Sequence, residues 1–375
     1  RIGINIRYLQ RRAYTGIENY LLNLVLGLSS TDDENEYVLF CGSDRAVPKR
    51  LLNLGKNFRF HLSRMPTNNQ ILRLIWDNIY LPWAISREKI NVFHAPFVAP
   101  IFKSCPTVLT VHDLAYFYFP SSYTYTYRIF LHAFLTKSIK DSDRIISVSN
   151  NTKRDIVHHF NISEDKIDVI YEAADSFFRY ARDTAKIQKV RKKYGINKDF
   201  ILNVSFINPR KNVTTLIIAF KKLLESGVDC QLVIAGGKGW LYENIFKTVS
   251  ELGVKNSVVF TGYVSKEDLL YLNNSASMFV YPSLYEGFGI PILEAMACGC
   301  PVIASNTSSI PEICGDAAIL VNPLDSDEIS EKMCLLLNDN QLRKTLSKKG
   351  LKQVKKFSWI ETAKKTLDVY KKVLD

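Results

Sequence analysis

The feature that most constrains the fold of this chain is a regular alternation of short apolar runs with longer amphipathic stretches. Residues 17–28 repeat apolar side chains at helical spacing, and the apolar runs around them have the length of strands. The runs that predict strands in the first half are 2–6, 37–41, 92–96, 107–113 and 144–149. Strands that alternate with helices in this way form a mainly parallel sheet with helices on both faces.

The same alternation starts again after a polar, basic stretch at 179–198, in which residues 186–196 predict a short surface helix. The second set of apolar runs covers 200–205, 231–236, 257–262, 277–283, 301–305 and 317–322. A chain of 375 residues is long enough for two domains of ordinary size. The sequence therefore predicts an α/β protein with two doubly wound, Rossmann-like domains, joined near residues 176–198.

The sequence contains no apolar run near the ~20 residues that are needed to cross a bilayer. The first ten residues alternate in polarity, unlike the apolar core of a signal peptide, so we expect a cytoplasmic protein. Of the seven cysteines, only Cys298 and Cys300 are close together, and their spacing does not match a zinc site. We therefore expect reduced cysteines with a structural role.

The positive charge of the chain is concentrated near its C-terminus. Two-thirds of the formal net charge of +12 falls in the last 33 residues. Such a segment is either a solvated helix face or a surface attracted to anionic lipids on the inner face of the plasma membrane. Residues 71–85 form an amphipathic stretch that suggests the same peripheral contact. No stacking platform or DNA-binding motif accompanies the charge, so we expect no nucleic-acid partner.

Two carboxylates, Glu286 and Glu294, lie eight positions apart in an otherwise apolar, glycine-rich run. Proline is favoured in the first turn of a helix, and glycine just past its end. Pro291 and Gly299 therefore predict a helix over about 290–298. Glu286 then lies on the loop that follows a strand, and Glu294 lies about one turn into the helix.

The loop that enters this helix suits the binding of a diphosphate. A helix N-terminus presents backbone N–H groups and the positive end of the helix dipole to an anion. The loop residues that we expect to face the ligand are Gly287, Phe288 and Gly289. Glu294 could accept hydrogen bonds from ribose hydroxyls, and Glu286 from hydroxyls of the group that the phosphate carries. One Glu near a helix start can have a purely local role, but two of them around a Gly-x-Gly entry favour a binding site.

Other candidates also follow predicted strands, where ligands bind in open α/β sheets. Arg210 and Lys211 come directly before a helix, and such cations suit a diphosphate or a leaving group that gains charge. In the N-terminal domain, His112 and Asp113 end a strand, and Gly16 opens the first helix. That helix entry lacks the G-x-G-x-x-G pattern of dinucleotide-binding domains, which argues against a nicotinamide enzyme.

Together these residues resemble the retaining glycosyltransferases of family 4, which have the GT-B fold. The run at 281–305 resembles their E-x7-E signature, and the resemblance extends over nearly the whole chain. The supporting segments are 15–20, 112–114, 144–149, 209–212, 232–237, 258–269 and the closing segment from 357. The P-R-K-N form of 209–212 resembles a subgroup rich in mannosyl- and rhamnosyltransferases of surface polysaccharide synthesis.

For the C-terminal domain, the resemblance implies that four side chains hold the donor. Glu286 would contact hydroxyls of the donor sugar, and Glu294 would contact the ribose. Arg210 and Lys211 would hold the diphosphate, with help from the backbone of residues 287–289. In the catalytic step itself, the resemblance places Glu286, Arg210 and Lys211 at the reacting bond.

For the N-terminal domain, the resemblance implies that Gly16 lets the donor approach and that His112 lies beside the reacting sugar. Retaining members use front-face attack with the leaving phosphate as base, so neither a protein nucleophile, a metal nor a cofactor is implied. The implied domains are an acceptor-binding domain at 1–178, a nucleotide-sugar-binding domain at 199–355 and a crossover helix at 356–375 that packs on the first domain.

The resulting hypothesis is a retaining, metal-independent hexosyltransferase. It would move a hexose, with mannose favoured, from a nucleoside diphosphate sugar to a saccharide or a polyprenyl-linked acceptor. A GDP-sugar is favoured as the donor, and a UDP-sugar is also compatible with these residues. Two alternatives stay open: a sugar-nucleotide 2-epimerase of the same architecture, and an inactive partner subunit of a glycosyltransferase.

Overall fold

The computed structural model describes residues 1–10, 16–42, 47–65, 70–237, 239 and 242–374, and these residues form thirteen strands in two sheets. The strands are β1 Ile2–Asn5, β2 Tyr37–Cys41, β3 Phe58–Leu62, β4 Val92–Ala95, β5 Thr107–Val111, β6 Arg144–Ser147, β7 Ile167–Val169, β8 Phe200–Val204, β9 Gln231–Ala235, β10 Val258–Gly262, β11 Met278–Tyr281, β12 Val302–Ser305 and β13 Ala318–Val321. All neighbouring strands in both sheets are parallel.

The α-helices connect these strands. They are α1 Gly16–Thr31, α2 Gln70–Ile75, α3 Leu81–Arg87, α4 Ala115–Tyr118, α5 Tyr125–Phe130, α6 Thr136–Asp141, α7 Asn150–Phe160, α8 Thr184–Lys193, α9 Val213–Glu225, α10 Glu243–Glu251, α11 Lys266–Ser275, α12 Ile290–Ala297, α13 Ile310–Cys314, α14 Ser326–Asn338, α15 Asn340–Val354 and α16 Trp359–Leu374. Two π-turns, Trp76–Tyr80 and Leu131–Leu135, join α2 to α3 and α5 to α6.

The first compact unit comprises Arg1–Leu114, Thr124–Glu172 and Ser358–Asp375. Its seven-stranded sheet has the order β3-β2-β1-β4-β5-β6-β7. The strand order reverses between β1 and β4, and such a reversal is where ligands bind in open α/β sheets. Helix α16 packs along α1 and against β4, β5 and β6, so the C-terminal helix belongs to this unit.

The docking of α16 includes a buried chain of hydrogen bonds. The hydroxyl of Tyr370 contacts Nδ1 of His94 at 2.6 Å, and Nε2 of His94 contacts the hydroxyl of Thr110 at 2.7 Å. The hydroxyl of Tyr20 on α1 also contacts Thr110, at 2.9 Å. Burial, assisted by the nearby imidazole of His112, lowers the pKa of His94 to about 3, so its ring is neutral in this core.

The second compact unit comprises Ala115–Tyr123 and Ala173–Phe357. Its six-stranded sheet has the order β10-β9-β8-β11-β12-β13, which reverses between β8 and β11. These two strands pair directly, with Met278 opposite Ile201 and Phe279 opposite Leu202. The carboxyl ends of β8 and β11 therefore lie side by side at the reversal, where the ligand crevice of such a sheet is expected.

The predicted fold class, with two Rossmann-like parallel sheets and a C-terminal helix on the first domain, is confirmed. Strand β3 was not predicted from the sequence, because its residues F-R-F-H-L alternate with polar side chains and leave both faces of the strand partly exposed. It pairs with β2 at the edge of the first sheet. All seven cysteines lie within the described residues, and none of them forms a disulfide bond there. None of the described helices combines the length and the apolar character that a membrane span requires.

Candidate functional site

Two loops meet at the strand reversal of the second unit. The loop after β8 ends in the short helical turn Pro209–Lys211, which is capped by Asn208, whose side chain accepts a hydrogen bond from the backbone N–H of Lys211. The loop after β11 joins this turn, because the N–H of Leu284 donates to the carbonyl of Arg210 at 2.9 Å. The predicted diphosphate-binding turn and the predicted sugar-binding loop are therefore fixed to each other.

The carboxylate of Glu286 lies at the centre of this junction. Its Oε1 accepts hydrogen bonds from Nζ of Lys211 at 2.5 Å, from the hydroxyl of Ser283 at 2.6 Å and from the hydroxyl of Tyr281 at 2.9 Å. Its Oε2 accepts one from the guanidinium of Arg210 at 3.1 Å. Since Oε1 already has three donors, Oε2 is the atom with remaining capacity for a ligand hydroxyl.

The electrostatics of the junction keep Glu286 ionised. The residue is only 7% exposed, and burial by itself would raise the pKa of its carboxyl group. The charges of Lys211 and Arg210 outweigh the burial and lower this pKa to about 2. With two cations against one carboxylate, the cluster retains a net positive charge that suits a diphosphate.

Tyr281 connects the cation and the carboxylate of the cluster. Nζ of Lys211 donates to the tyrosine hydroxyl at 2.9 Å, and that hydroxyl donates to Glu286. Burial, together with the charge of Glu286, raises the pKa of Tyr281, so the neutral phenol is the hydrogen-bonding form. The contacts of Tyr281 and Ser283 with Glu286 were not predicted from the sequence. The signal that could have indicated them is the presence of two hydroxyl side chains at the end of the apolar run 278–283.

The loop that follows Glu286 is held by two serines. The N–H of Glu286 donates to the hydroxyl of Ser308 at 3.0 Å, and the hydroxyl of Ser309 donates to the carbonyls of Glu286 and Phe288 at 2.9 Å each. The ring of Phe288 packs edge-on against Phe357, with ring centroids 5.8 Å apart. Since Phe288 is buried, the predicted contact of this residue with a donor would involve its backbone.

Helix α12 begins as predicted, directly after the glycine loop. Gly289 has φ of +115°, a conformation that disfavours side chains, and no side chain caps the helix there. Gly287 precedes this entry on the same loop. Glu294 lies in the second turn of α12, where part of the residue is exposed but its carboxyl group is surrounded by protein. Burial raises the pKa of Glu294 to about 8, with the carboxylate of Asp175 adding to the shift and the cation of Lys266 opposing it.

In the first unit, His112 lies just past β5 at the carboxyl edge of the sheet. Its Nδ1 contacts Oε1 of Glu172 at 3.0 Å, and its Nε2 donates to the carbonyl of Pro96 at 3.0 Å. The pairing with Glu172 was not predicted, because the two residues lie 60 positions apart in the sequence. Both ring nitrogens are hydrogen-bonded within the protein, so the role of His112 towards a sugar stays a prediction.

Gly16 is the first residue of α1, and a Cβ atom added there would meet nothing within 4 Å. This open space is compatible with the predicted approach of a ligand to the helix entry. Thr15, which the family resemblance also covers, lies outside the described residues. Within the described part of the chain, no three His, Cys, Asp or Glu side chains come together as a metal site would require.

Two family models match this chain, one in each of the two domains that the alternation of strands and helices predicts. The Glycosyltransferase Family 4 model matches residues 14–176, and the model for Glycosyl transferases group 1 matches residues 186–353. The O-antigen chain mannosyltransferase B of Escherichia coli is 32% identical over 368 residues, which are 95% of this chain and 96% of that protein. The O-antigen chain mannosyltransferase RfbU of Salmonella typhimurium is 30% identical over 70% of this chain and 71% of its own length.

Solved structures show the same fold at lower sequence identity. A sucrose-phosphate synthase from Thermosynechococcus elongatus is 18% identical with a TM-score of 0.78, over 99% of this chain and 98% of that one. WaaG, a glycosyltransferase involved in lipopolysaccharide biosynthesis, is 15% identical with a TM-score of 0.75, over 98% and 99% of the two chains. These likenesses support the GT-B fold.

Proposed function

The chain belongs to the glycosyltransferases, with a family 4 domain followed by a group 1 domain, and we propose that it is a retaining hexosyltransferase. The proposed donor is a nucleoside diphosphate sugar, with GDP-mannose favoured. The proposed acceptor is a lipid-linked or polysaccharide chain. Two relatives of this chain are O-antigen chain mannosyltransferases, which supports mannose as the sugar and a surface polysaccharide as the product.

The observation that carries this proposal is the junction of Arg210, Lys211 and Glu286 at the strand reversal of the second unit. A nucleoside diphosphate needs cations at its phosphates, and a sugar needs acceptors for its hydroxyls. Both kinds of group are present here, because nitrogen atoms of Lys211 and Arg210 lie 2.5 and 3.1 Å from the carboxylate oxygens of Glu286. We assign the cations of Arg210 and Lys211 to the phosphates of the donor, and Oε2 of Glu286 to a sugar hydroxyl.

In the proposed reaction, the bond between C1 of the sugar and the β-phosphate oxygen breaks, and an acceptor hydroxyl oxygen forms the new bond to C1 on the same face. The acceptor proton passes to an oxygen of the leaving phosphate, so the products are the glycoside and a nucleoside diphosphate. Arg210 and Lys211 would stabilise the charge that develops on the leaving group. Such preorganised electrostatic contacts commonly contribute roughly 3–4 kcal/mol each to lowering the barrier.

The low basicity of Glu286 supports direct attack of the acceptor on the face of the sugar that the phosphate leaves. A carboxylate with a pKa near 2, held by four donors, is a weak nucleophile and a weak base. It is better suited to hold hydroxyl groups than to attack C1 and form a covalent intermediate. We therefore assign Glu286 to sugar binding, and we assign the proton transfer to the leaving phosphate.

Two single substitutions test the site. Glu286→Ala and Lys211→Ala should each abolish transfer of mannose from GDP-mannose, while the circular dichroism spectrum keeps its native shape. Leu324→Ala, an exposed residue of the same unit, is the matched control and should keep wild-type activity. Full activity in both site variants would refute the assignment of the site.

A panel of GDP-, UDP-, dTDP- and ADP-sugars in a thermal-shift assay would identify the donor. An upward shift with GDP-mannose alone supports the proposal. Turnover of a nucleotide sugar without any acceptor would instead indicate a 2-epimerase, and the absence of any nucleotide-sugar binding would indicate a partner subunit. The anomeric configuration of the product, measured by NMR, separates retention from inversion.

A further inference from the structure

The imidazole ring of His112 is held from several sides within the first unit. Its Nδ1 lies 3.0 Å from Oε1 of Glu172, and its Nε2 lies 3.0 Å from the carbonyl oxygen of Pro96. The ring of Tyr20 packs edge-on against the imidazole, with ring centroids 4.8 Å apart. The backbone carbonyl of His112 accepts a hydrogen bond from the hydroxyl of Thr152 at 3.4 Å. Together these contacts favour one orientation of the ring.

Both ring nitrogens of His112 face oxygen atoms, and this limits the chemistry of the ring. The carbonyl of Pro96 can only accept, so Nε2 carries a proton. The proton between Nδ1 and Glu172 belongs either to the ring or to the carboxyl group, and in both cases Nδ1 has no lone pair to spare. His112 is therefore not the group that takes the proton of an acceptor hydroxyl. Its effect on a donor depends on where the ring lies.

Helix α16 fixes the residue that contacts Nδ1. Glu172 ends the segment Thr124–Glu172 of the first unit, and its side chain is 5% exposed. The carbonyl oxygen of Tyr171, directly before it, lies 2.7 Å from the hydroxyl of Thr362 on α16, which is closer than the carbonyl of Ser358 at 3.0 Å. Thr362 is buried as well. This hydrogen bond therefore restricts the backbone from which the Glu172 carboxylate extends.

The same helix also fixes the aromatic ring that packs against His112. Tyr370 of α16 contacts His94, whose other ring nitrogen contacts the hydroxyl of Thr110. That hydroxyl in turn contacts the hydroxyl of Tyr20. Trp359, the first residue of α16, packs against the ring of Tyr20 with ring centroids 6.0 Å apart. Two sets of contacts that begin on α16 therefore converge on one imidazole ring.

We propose that Glu172 and Thr362 are positioning residues, which keep the ring of His112 in the place where it meets the donor sugar. Glu172 acts on the ring directly, and Thr362 acts through the backbone next to Glu172. The C-terminal helix then contributes to turnover without touching the substrate. The inference rests on the proposed function, because it needs His112 to lie beside the reacting sugar. A small displacement of such a group can lower a rate by about a hundredfold.

The first test measures kcat and KM of the full-length chain for the donor that the thermal-shift panel identifies. Glu172→Ala should lower kcat by about tenfold or more and leave KM nearly unchanged. Thr362→Val removes one hydroxyl and should lower kcat by roughly fivefold, the equivalent of one hydrogen bond, whereas Thr362→Ser should keep the wild-type kcat. Glu34→Gln, which changes an exposed glutamate of the same unit, is the matched control and should keep both values.

The second test is proton NMR spectroscopy, which needs no donor. A proton held between Nδ1 of His112 and the carboxyl group of Glu172 should exchange slowly with water and give a signal far downfield. The signal is assigned to His112 by its loss in His112→Asn. Glu172→Ala should abolish the signal, and Glu34→Gln should keep it.

A wild-type kcat in Glu172→Ala would overturn the inference, and so would an NMR signal that is absent from the wild type or persists in that variant. A loss of activity that only follows the loss of folded protein, measured by circular dichroism, would also overturn it, because α16 would then have a purely structural role. Failure of the proposed function is a separate result. Full activity in Glu286→Ala and Lys211→Ala would refute the donor site, whatever the NMR signal shows.

Discussion

Replacing Glu286 by glutamine keeps the shape of the side chain and removes its charge. In the wild type, this carboxylate compensates the charges of Lys211 and Arg210 at 2.5 and 3.1 Å in a nearly dry environment. In the variant, the two cations stay in place without their counter-charge. We therefore expect Glu286→Gln to be less stable than the wild type at neutral pH, by an amount that shrinks in acid.

The magnitude follows from the pKa of Glu286, which is about 2 in the folded chain against an ordinary value of 4.5. Each unit of pKa shift corresponds to about 1.4 kcal/mol, so ionisation of this group stabilises the fold by about 3 kcal/mol. Because the pKa is lowered on folding, the stabilisation is fully present above pH 4.5 and is lost as the pH falls towards 2. The stability difference between wild type and variant should be about 1.4 kcal/mol smaller at pH 3.5 than at pH 7.

Urea unfolding followed by circular dichroism, between pH 3.5 and pH 7, measures this difference. Ser283→Ala is a suitable control, because it removes one hydrogen-bond donor to Glu286 and leaves the carboxylate and both cations in place. It should lower stability by about 1 kcal/mol but keep most of the pH dependence of the wild type. Wild-type and Glu286→Gln curves that stay parallel down to pH 3.5 would refute the electrostatic reasoning.

Four further outcomes are expected. Tyr281→Phe removes the hydroxyl that donates to Glu286 and should lower the free energy of unfolding by about 2 kcal/mol, measured in urea; an unchanged value would contradict the bridging role. Since the pKa of Glu294 is about 8, calorimetry should find that donor affinity changes as the pH passes 8 in the wild type but not in Glu294→Gln. Tyr370→Phe leaves Nδ1 of His94 without its partner, so hydrogen exchange in α16 should become faster, whereas unchanged protection would count against this anchor. Dialysis against EDTA should leave transfer activity intact, and a loss restored by a divalent cation would show that the enzyme needs a metal.

Most strands of both sheets were predictable because buried parallel strands are nearly continuous apolar runs, but β3 and the short β7 were not predicted. Strands such as β2 and β9 are entirely buried and carry that signal. β3 lies at the sheet edge, so its side chains alternate in polarity and its apolar signal is weak. The helix from α2 to α3 was visible as an amphipathic stretch, but the exposure of Ile71 and Ile79 depends on the neighbours that the fold supplies.

The charged members of the site were predictable because they follow strands in a known type of sheet. The sequence placed Arg210, Lys211 and Glu286 at strand ends, and the direct pairing of β8 with β11 brings those ends together. Tyr281 and Glu172 were not predicted, because a tyrosine in a strand and a glutamate after one have many structural roles. Only the contacts that the fold creates, of Tyr281 with Lys211 and of Glu172 with His112, distinguish these two residues from others of their kind.

The docking of α16 into the first unit has a consequence for biosynthesis. Ala363, Val369 and Tyr370 complete a core whose other members lie before residue 173, yet residues 173–357 are translated in between. At roughly 5–20 residues per second, a ribosome takes about 10–40 seconds to make that insert. During this interval the nascent first unit exposes the apolar groove that α16 later fills, while the second unit can already fold. Ribosome profiling of chaperone-bound nascent chains should therefore find a chaperone on this protein while the second unit is being translated.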